Sequence, residues 1–213
     1  MQLYSFFNSS TSYRVRIALA LKGLAYDCLG VNLRSGEQLS TAHRELNPAA
    51  GVPVLVTDDS QLITQSLAII DYLDALQPAP RLLPAEPLAR ARVLEIANLI
   101  ACDIHPINNL RVLNYLQREL GVSAGQKDAW YRHWVAEGLA AVESLLQRHG
   151  QGPYCFGAAP TLADCCLVPQ VANAQRMGCE LEDYPQLMAV YRNCLEQPAF
   201  QAAAPARQPD FIA

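Results

Sequence analysis

Over the first 76 residues the apolar positions change period repeatedly. Short β-rich runs alternate with stretches of helical spacing, the pattern of an α/β unit. Residues 2–6 read as a strand, Ser9-Ser10-Thr11-Ser12 supply hydroxyls that can cap a helix running to Leu21, and Gly23 stops that helix. Residues 26–33 read as a second strand, 38–46 as a helix, and 52–56 as a third strand that opens on Pro53. Asp58-Asp59-Ser60 then turns the chain into residues 61–64, a hairpin, and Ser66 can cap a helix reaching Leu76.

Residues 77–87 carry four prolines, too many for a helix or a central strand, and mark a linker between domains 1–80 and 86–213. Beyond the linker the strand signal vanishes. Val93, Ala97, Ile100, Ile104 and Ile107 recur at steps of four, three, four and three, which predicts one amphipathic helix with a buried stripe, bent by Pro106. A second amphipathic helix is expected over 127–148, and Thr161-Leu162-Ala163-Asp164 has capping-box spacing ahead of an apolar run. The fold class is therefore α/β followed by all-α. The tail from Pro198 has weak periodicity and is expected as an irregular surface segment.

The chain has 213 residues, 51% of them apolar, enough for a core that needs no disulfide or metal staple. Sixteen Lys and Arg against twenty Asp and Glu leave a net charge of −4, which argues against nucleic acid or an anionic membrane as the main partner. A small molecule or another protein fits better. No uncharged run reaches the ~18 residues of a membrane span. Seven cysteines, with no Cys-x-x-Cys and no secretory leader, point to free thiols in a reducing cytoplasm. Cys165 and Cys166 read as small apolar packing groups, and four scattered histidines without ligand spacing argue against a metal site.

Three features can carry chemistry. A hydroxyl at Ser9, where a strand feeds a helix N-terminus, can donate to an anion such as a thiolate brought by a ligand. Val52-Pro53 opens a strand, and a cis bond there would leave the Val52 backbone free to pair with a peptide-like ligand. Gln65-Ser66 starts a helix that can receive a carboxylate. Each feature also has a plain structural reading, as a helix cap or as a trans proline at a strand edge.

In this order and with these lengths, the three features resemble the first domain of a cytosolic glutathione transferase. The segments SSTSYRVRIALALKG, LNPAAGVPVL, LITQSLAIIDYLD, RLLP, DIHPINNLRVL, PTLADCCLVPQVANAQR and RQPD are similar to the zeta class, the maleylacetoacetate isomerases and related maleylpyruvate isomerases. The resemblance implies a thioredoxin-like glutathione-binding domain followed by an all-helical substrate-binding domain, assembled as a homodimer. It implies Ser9 facing the glutathione sulfur with Ser10 and Thr11 beside it, and Val52 meeting the cysteinyl part through a cis Pro53. Gln65 and Ser66 would take the γ-glutamyl group, with Gln38, His105 and Asn109 around the rest of the tripeptide. Two departures stand out: Asn8 occupies a position where the zeta pattern usually has Arg, and Thr11 one where it often has Cys and sometimes Ser, while Thr at position 11 resembles the related bacterial maleylpyruvate isomerases. Asn8 therefore bears on substrate choice.

His105, Asn108 and Asn109 stand three and four apart with Arg111 beyond them, polar groups where the apolar stripe would otherwise continue. Arg111 and Arg176 are candidates to clamp a dicarboxylate, since a guanidinium fork matches a carboxylate. The implied reaction is a glutathione-dependent cis–trans isomerisation of maleylacetoacetate to fumarylacetoacetate, in aromatic amino acid catabolism, with glutathione as the cofactor. Maleylpyruvate isomerisation, glutathione transfer to small α-halo acids and a non-catalytic thioredoxin-like scaffold are the alternatives.

Overall fold

The β-rich runs pair into one four-stranded sheet, ordered β2-β1-β3-β4, in a computed structural model that describes residues 1–212. β1 (Gln2–Ser5) runs parallel to β2 (Asp27–Gly30), and α1 (Ser10–Lys22) is the crossover between them. β3 (Val54–Val56) pairs antiparallel with both β1 and β4 (Leu62–Thr64), the expected hairpin. This is the thioredoxin-like α/β arrangement. α1 packs against α3 (Ser66–Leu76), and Leu3, Val15, Ile17, Leu19, Leu55, Ile69, Ile70 and Leu73 are fully buried. Because α1 is enclosed on most sides, its sequence lacks a clean polar face and buries even Arg14 and Arg16.

The chain separates into two compact units, Met1–Leu83 together with the segment from Leu195 onward, and Pro84–Cys194. The tail thus departs from both expectations made for it, a place in the second domain and an irregular surface course. It forms α9 (Pro198–Ala203) and a 3₁₀ turn, Pro205–Arg207, and Phe200 is fully buried. The reason lies in α1, whose buried polar groups need partners: Tyr13 Oη donates to the Phe200 carbonyl at 3.4 Å and Arg16 Nε to the Ala203 carbonyl at 3.0 Å. The proline-rich linker is also tied to the first unit. Lys22 Nζ donates to Asp74 and to the Gln77 and Pro80 carbonyls, and Asp74 accepts from the Leu82 and Leu83 amides.

Helix 38–46 of the sequence reading is two pieces, a 3₁₀ turn (Glu37–Leu39) and α2 (Thr41–Leu46). The break falls at Ser40, whose hydroxyl accepts from the His43 amide and caps α2 instead of continuing the turn. Ser66 is the first residue of α3 and Gln65 its N-cap, one place earlier than expected.

The second unit is helical. α4 (Pro87–Asn98) starts on a proline, with the Glu86 carboxylate accepting from the Leu88 and Ala89 amides. The single long helix expected over 93–107 does not persist: a π turn (Leu99–Ile104) and a 3₁₀ turn (Pro106–Asn108) follow α4, because Pro106 has no amide to continue the ladder. Its stripe survives, with Val93, Ala97, Ile100 and Ile104 buried. α5 (Leu110–Arg118) buries no residue, whereas α6 (Ala124–His149) buries Tyr131, Val135, Leu139, Val142 and Leu146. Gly138 lets α6 close on the π turn, since a side chain there would meet Ile104. α7 (Leu162–Arg176) has the expected capping box, and α8 (Pro185–Glu196) is capped from α6 by buried Glu143, which accepts from the Gln186 and Leu187 amides.

Asp164, fully buried, accepts from the Cys155 and Thr161 amides at 2.8 Å each and from the Thr161 hydroxyl. Burial pushes its carboxyl pKa up, opposed by those donors. Asp164→Ala strands both amides and is expected to lower stability by about 2–4 kcal/mol in urea denaturation; a loss below about 1 kcal/mol would show that the cap is dispensable.

Candidate functional site

Strand register gathers the first unit's candidate residues. Tyr4 pairs with Val54 and Val54 with Thr64, so the end of β1, the start of β3 and the end of β4 lie side by side at one edge of the sheet. The β1–α1 loop, the turn before β3 and the start of α3 therefore share that edge.

Ser9 is the N-cap of α1, and its Oγ accepts from the Ser12 amide at 3.2 Å. The same oxygen is 2.9 Å from Thr11 Oγ1, which donates to the Val52 carbonyl at 2.9 Å. A carbonyl only accepts, so the single Thr11 proton is used on Val52 and the Ser9 hydroxyl is the donor to Thr11. One torsion about Cβ–Oγ swings that proton elsewhere. Ser9 is half-buried at a helix N-terminus, where partial positive charge favours an anion. Asn8 lies half-buried just ahead of it, and Ser10 is buried as the first residue of α1.

The Val52–Pro53 peptide is cis. Ahead of it, the Gly51 carbonyl accepts from both His43 Nε2 (2.9 Å) and Asn47 Nδ2 (2.8 Å), so His43 carries its proton on Nε2. The C=O and N–H of one planar trans peptide point opposite ways, and fixing the Gly51 oxygen therefore aims the Val52 amide in the other direction. Among the described residues that amide has no backbone partner. His43 and Asn47 were missed by reading the sequence; the Asn-Pro pair ahead of Gly-Val-Pro was the one available signal.

Gln65 caps α3 with φ 68° and ψ 119°, a left-handed value that is strained for a side chain with a Cβ. Ser66 Oγ accepts from Arg14 Nη1 at 3.3 Å, which leaves its own proton available to donate. The first backbone bond of this helix runs from the Ile69 amide to the Gln65 carbonyl, so the three preceding amides are open to an acceptor. Gln38 sits in the 3₁₀ turn, its side-chain oxygen buried without a hydrogen-bond partner. Together these groups fit a peptide-like ligand with a carboxylate and an anionic sulfur or oxygen.

The remaining candidates belong to the second unit. His105 is half-buried between the π and 3₁₀ turns, and Asn109 caps α5 with its side-chain oxygen on the Arg111 amide at 3.0 Å. His105, Asn108 and Asn109 therefore do not form the single helical face that their spacing predicts. Arg111 is exposed, and so is Arg176, which donates to Asn173 at 2.9 Å.

Burial pushes the Cys28, Cys155, Cys179 and Cys194 thiols up, so these four are poor sources of a thiolate. Among the described residues no group of three or more His, Cys, Asp or Glu side chains could hold a metal ion, and no helix is long and apolar enough to cross a membrane.

Residues 8–76 match the model of the glutathione S-transferase N-terminal domain, and 128–193 that of its C-terminal domain. The maleylacetoacetate isomerase of Pseudomonas aeruginosa is 48% identical over 212 residues, covering 99% of this chain and 98% of that protein. A crystal structure of maleylpyruvate isomerase from the same organism is 56% identical with a TM-score of 0.88, and covers 100% of both chains. The holo structure of a maleylpyruvate isomerase described as a bacterial zeta-class glutathione S-transferase is 46% identical, with a TM-score of 0.96 and 100% of both chains covered.

Asn47→Ala removes one of the two donors that hold the Gly51 carbonyl. With glutathione as the calorimetric probe, affinity is expected to fall about fivefold, the value of one neutral hydrogen bond; unchanged affinity would remove Asn47 from the site.

Proposed function

The chain belongs to the zeta-class glutathione S-transferases, and from that membership we propose that it is a glutathione-dependent isomerase converting maleylacetoacetate to fumarylacetoacetate. The observation that carries this reading is the Ser9–Thr11–Val52 linkage, which sets a hydroxyl at a helix N-terminus beside an available peptide amide. In it Ser9 faces the sulfur, the Val52 backbone meets the cysteinyl residue, Gln65 and Ser66 receive the γ-glutamyl group, and the Gln38 amide completes the set. Glutathione held by these groups would supply a thiolate nucleophile for reversible addition to the conjugated double bond, the chemistry that lets that bond rotate.

The protein's part is to hold and orient. Ser9, its proton turned from Thr11 to the sulfur, stabilises the anion together with the positive end of α1 and so lowers the thiol pKa. Thr11 keeps the Val52 carbonyl in place while Ser9 turns. Ser66, braced by Arg14, and the open amides of α3 bind a carboxylate. For the second unit the proposal rests on residue identity: Arg111 and Arg176 pair with substrate carboxylates and offset enolate charge as it develops. Family membership assigns His105 and Asn109 to the tripeptide, Asn109 through its amide nitrogen because its oxygen is used as a cap. Asn8 in place of arginine removes one carboxylate anchor and tunes substrate choice. The enzyme acts in the cytoplasm as a homodimer, in aromatic catabolism.

Thr11, together with the two solved maleylpyruvate isomerases, favours maleylpyruvate as a second reading of the substrate. The ratio of kcat/KM for the two compounds decides between them. Ser9→Ala is expected to lower kcat at least about 100-fold on the preferred substrate, as loss of a donor to a developing or bound anion does; wild-type turnover would take Ser9 out of the mechanism.

A further inference from the structure

Ser9 owes its position to a short turn. Its amide donates to the Phe6 carbonyl at 2.9 Å, so Phe6, Phe7 and Asn8 determine where the hydroxyl stands. Side chains distant in sequence hold this turn. The Phe7 amide donates to Asp210 Oδ2 at 2.8 Å across 203 residues. The Phe7 carbonyl accepts from Arg16 Nη2 at 3.0 Å and the Phe6 carbonyl from Arg16 Nη1 at 3.3 Å. Phe211, next to Asp210, sets its ring edge-on against the Phe7 ring with centroids 5.3 Å apart, and the Arg34 guanidinium stands 5.3 Å from the same ring. Both backbone polar groups and the ring of Phe7 are thereby engaged, and the chain has one residue, Asn8, before Ser9.

The sequence has made room for this contact. At the end of β2, a Cβ on Gly30 would stand 3.0 Å from Asp210 Cβ, closer than ordinary packing allows. α9 brings the tail to this place through the bonds from Tyr13 and Arg16 to its carbonyls.

We propose that Asp210 is a positioning residue for Ser9: by holding the Phe7 amide it fixes the turn that presents the catalytic hydroxyl to the glutathione sulfur. It touches neither glutathione nor substrate. The kinetic consequence rests on the isomerase reading given above, whereas the positioning itself is read with glutathione alone.

The test is titration of the thiol of bound glutathione through its thiolate absorbance, in wild type, Asp210→Ala and Asp210→Asn. Asp210→Ala is expected to raise the bound thiol pKa by about one unit, with kcat about tenfold lower near neutral pH and KM for glutathione within about twofold of wild type. Asp210→Asn keeps an acceptor for the Phe7 amide and is expected to stay within about twofold of wild type in kcat. A merely structural tail contact would lower stability without moving the thiol pKa. Gly30→Ala presses on Asp210 from β2 and supplies the same test if Asp210→Ala does not fold; it is expected to move the thiol pKa in the same direction. A wild-type thiol pKa in the folded Asp210→Ala variant, or in Gly30→Ala where that variant does not fold, would overturn the proposal. Because the titration uses no maleyl compound, absence of isomerase turnover would count against the proposed function and leave this readout intact.

Discussion

A guanidinium with no solvent exposure, that of Arg16, is the interaction on which the first unit depends. It donates to the Phe6, Phe7 and Ala203 carbonyls and to the Ser5 hydroxyl, joining the end of β1, the loop into α1 and the tail helix at one cation. Burial lowers its pKa to about 10, so it stays charged through the physiological range. A buried charge is tolerated only when fully hydrogen-bonded, and here the partners are the carbonyls that must be held if Ser9 is to stand still. Fold and site share that constraint.

The same economy runs through the rest of the edge. In the proposed function main-chain groups carry recognition: the Val52 amide, aimed by His43 and Asn47 through Gly51, and the open amides at the start of α3. Side chains act mostly as braces, Thr11 on the Val52 carbonyl and Arg14 on Ser66. Gln65 pays for its place with a left-handed backbone, strain of the kind that accumulates where a chain must present groups to a ligand.

Much of this was legible in the sequence where the cause is local. Hydroxyls at Ser9–Ser12 before a helix, proline at position 53 and the change of periodicity after residue 86 have short-range causes, and the structure has the α/β unit followed by helices. What escaped depends on partners far away in sequence. The tail looks featureless by periodicity, yet α9 is fixed by bonds spanning 187 residues, to Tyr13 and Arg16. His43 and Asn47 act on the Gly51 carbonyl, and beyond the Asn-Pro pair ahead of Gly-Val-Pro no side-chain pattern points to that contact. Spacing placed His105 and Asn109 on one helix because apolar steps do not register the missing amide of Pro106.

The proposed chemistry needs a thiol, and burial holds those of Cys28, Cys155, Cys179 and Cys194 away from ionisation; the proposal draws instead on a hydroxyl, a helix end and an aimed amide. Its central claim is that glutathione is activated and returned, not spent. The most direct measurement follows maleylacetoacetate, its trans product and free glutathione together over many turnovers of purified protein. The account predicts full conversion to the trans isomer, no conversion without glutathione, and an unchanged glutathione concentration. Conversion without glutathione, or loss of one glutathione for each substrate consumed, would contradict it.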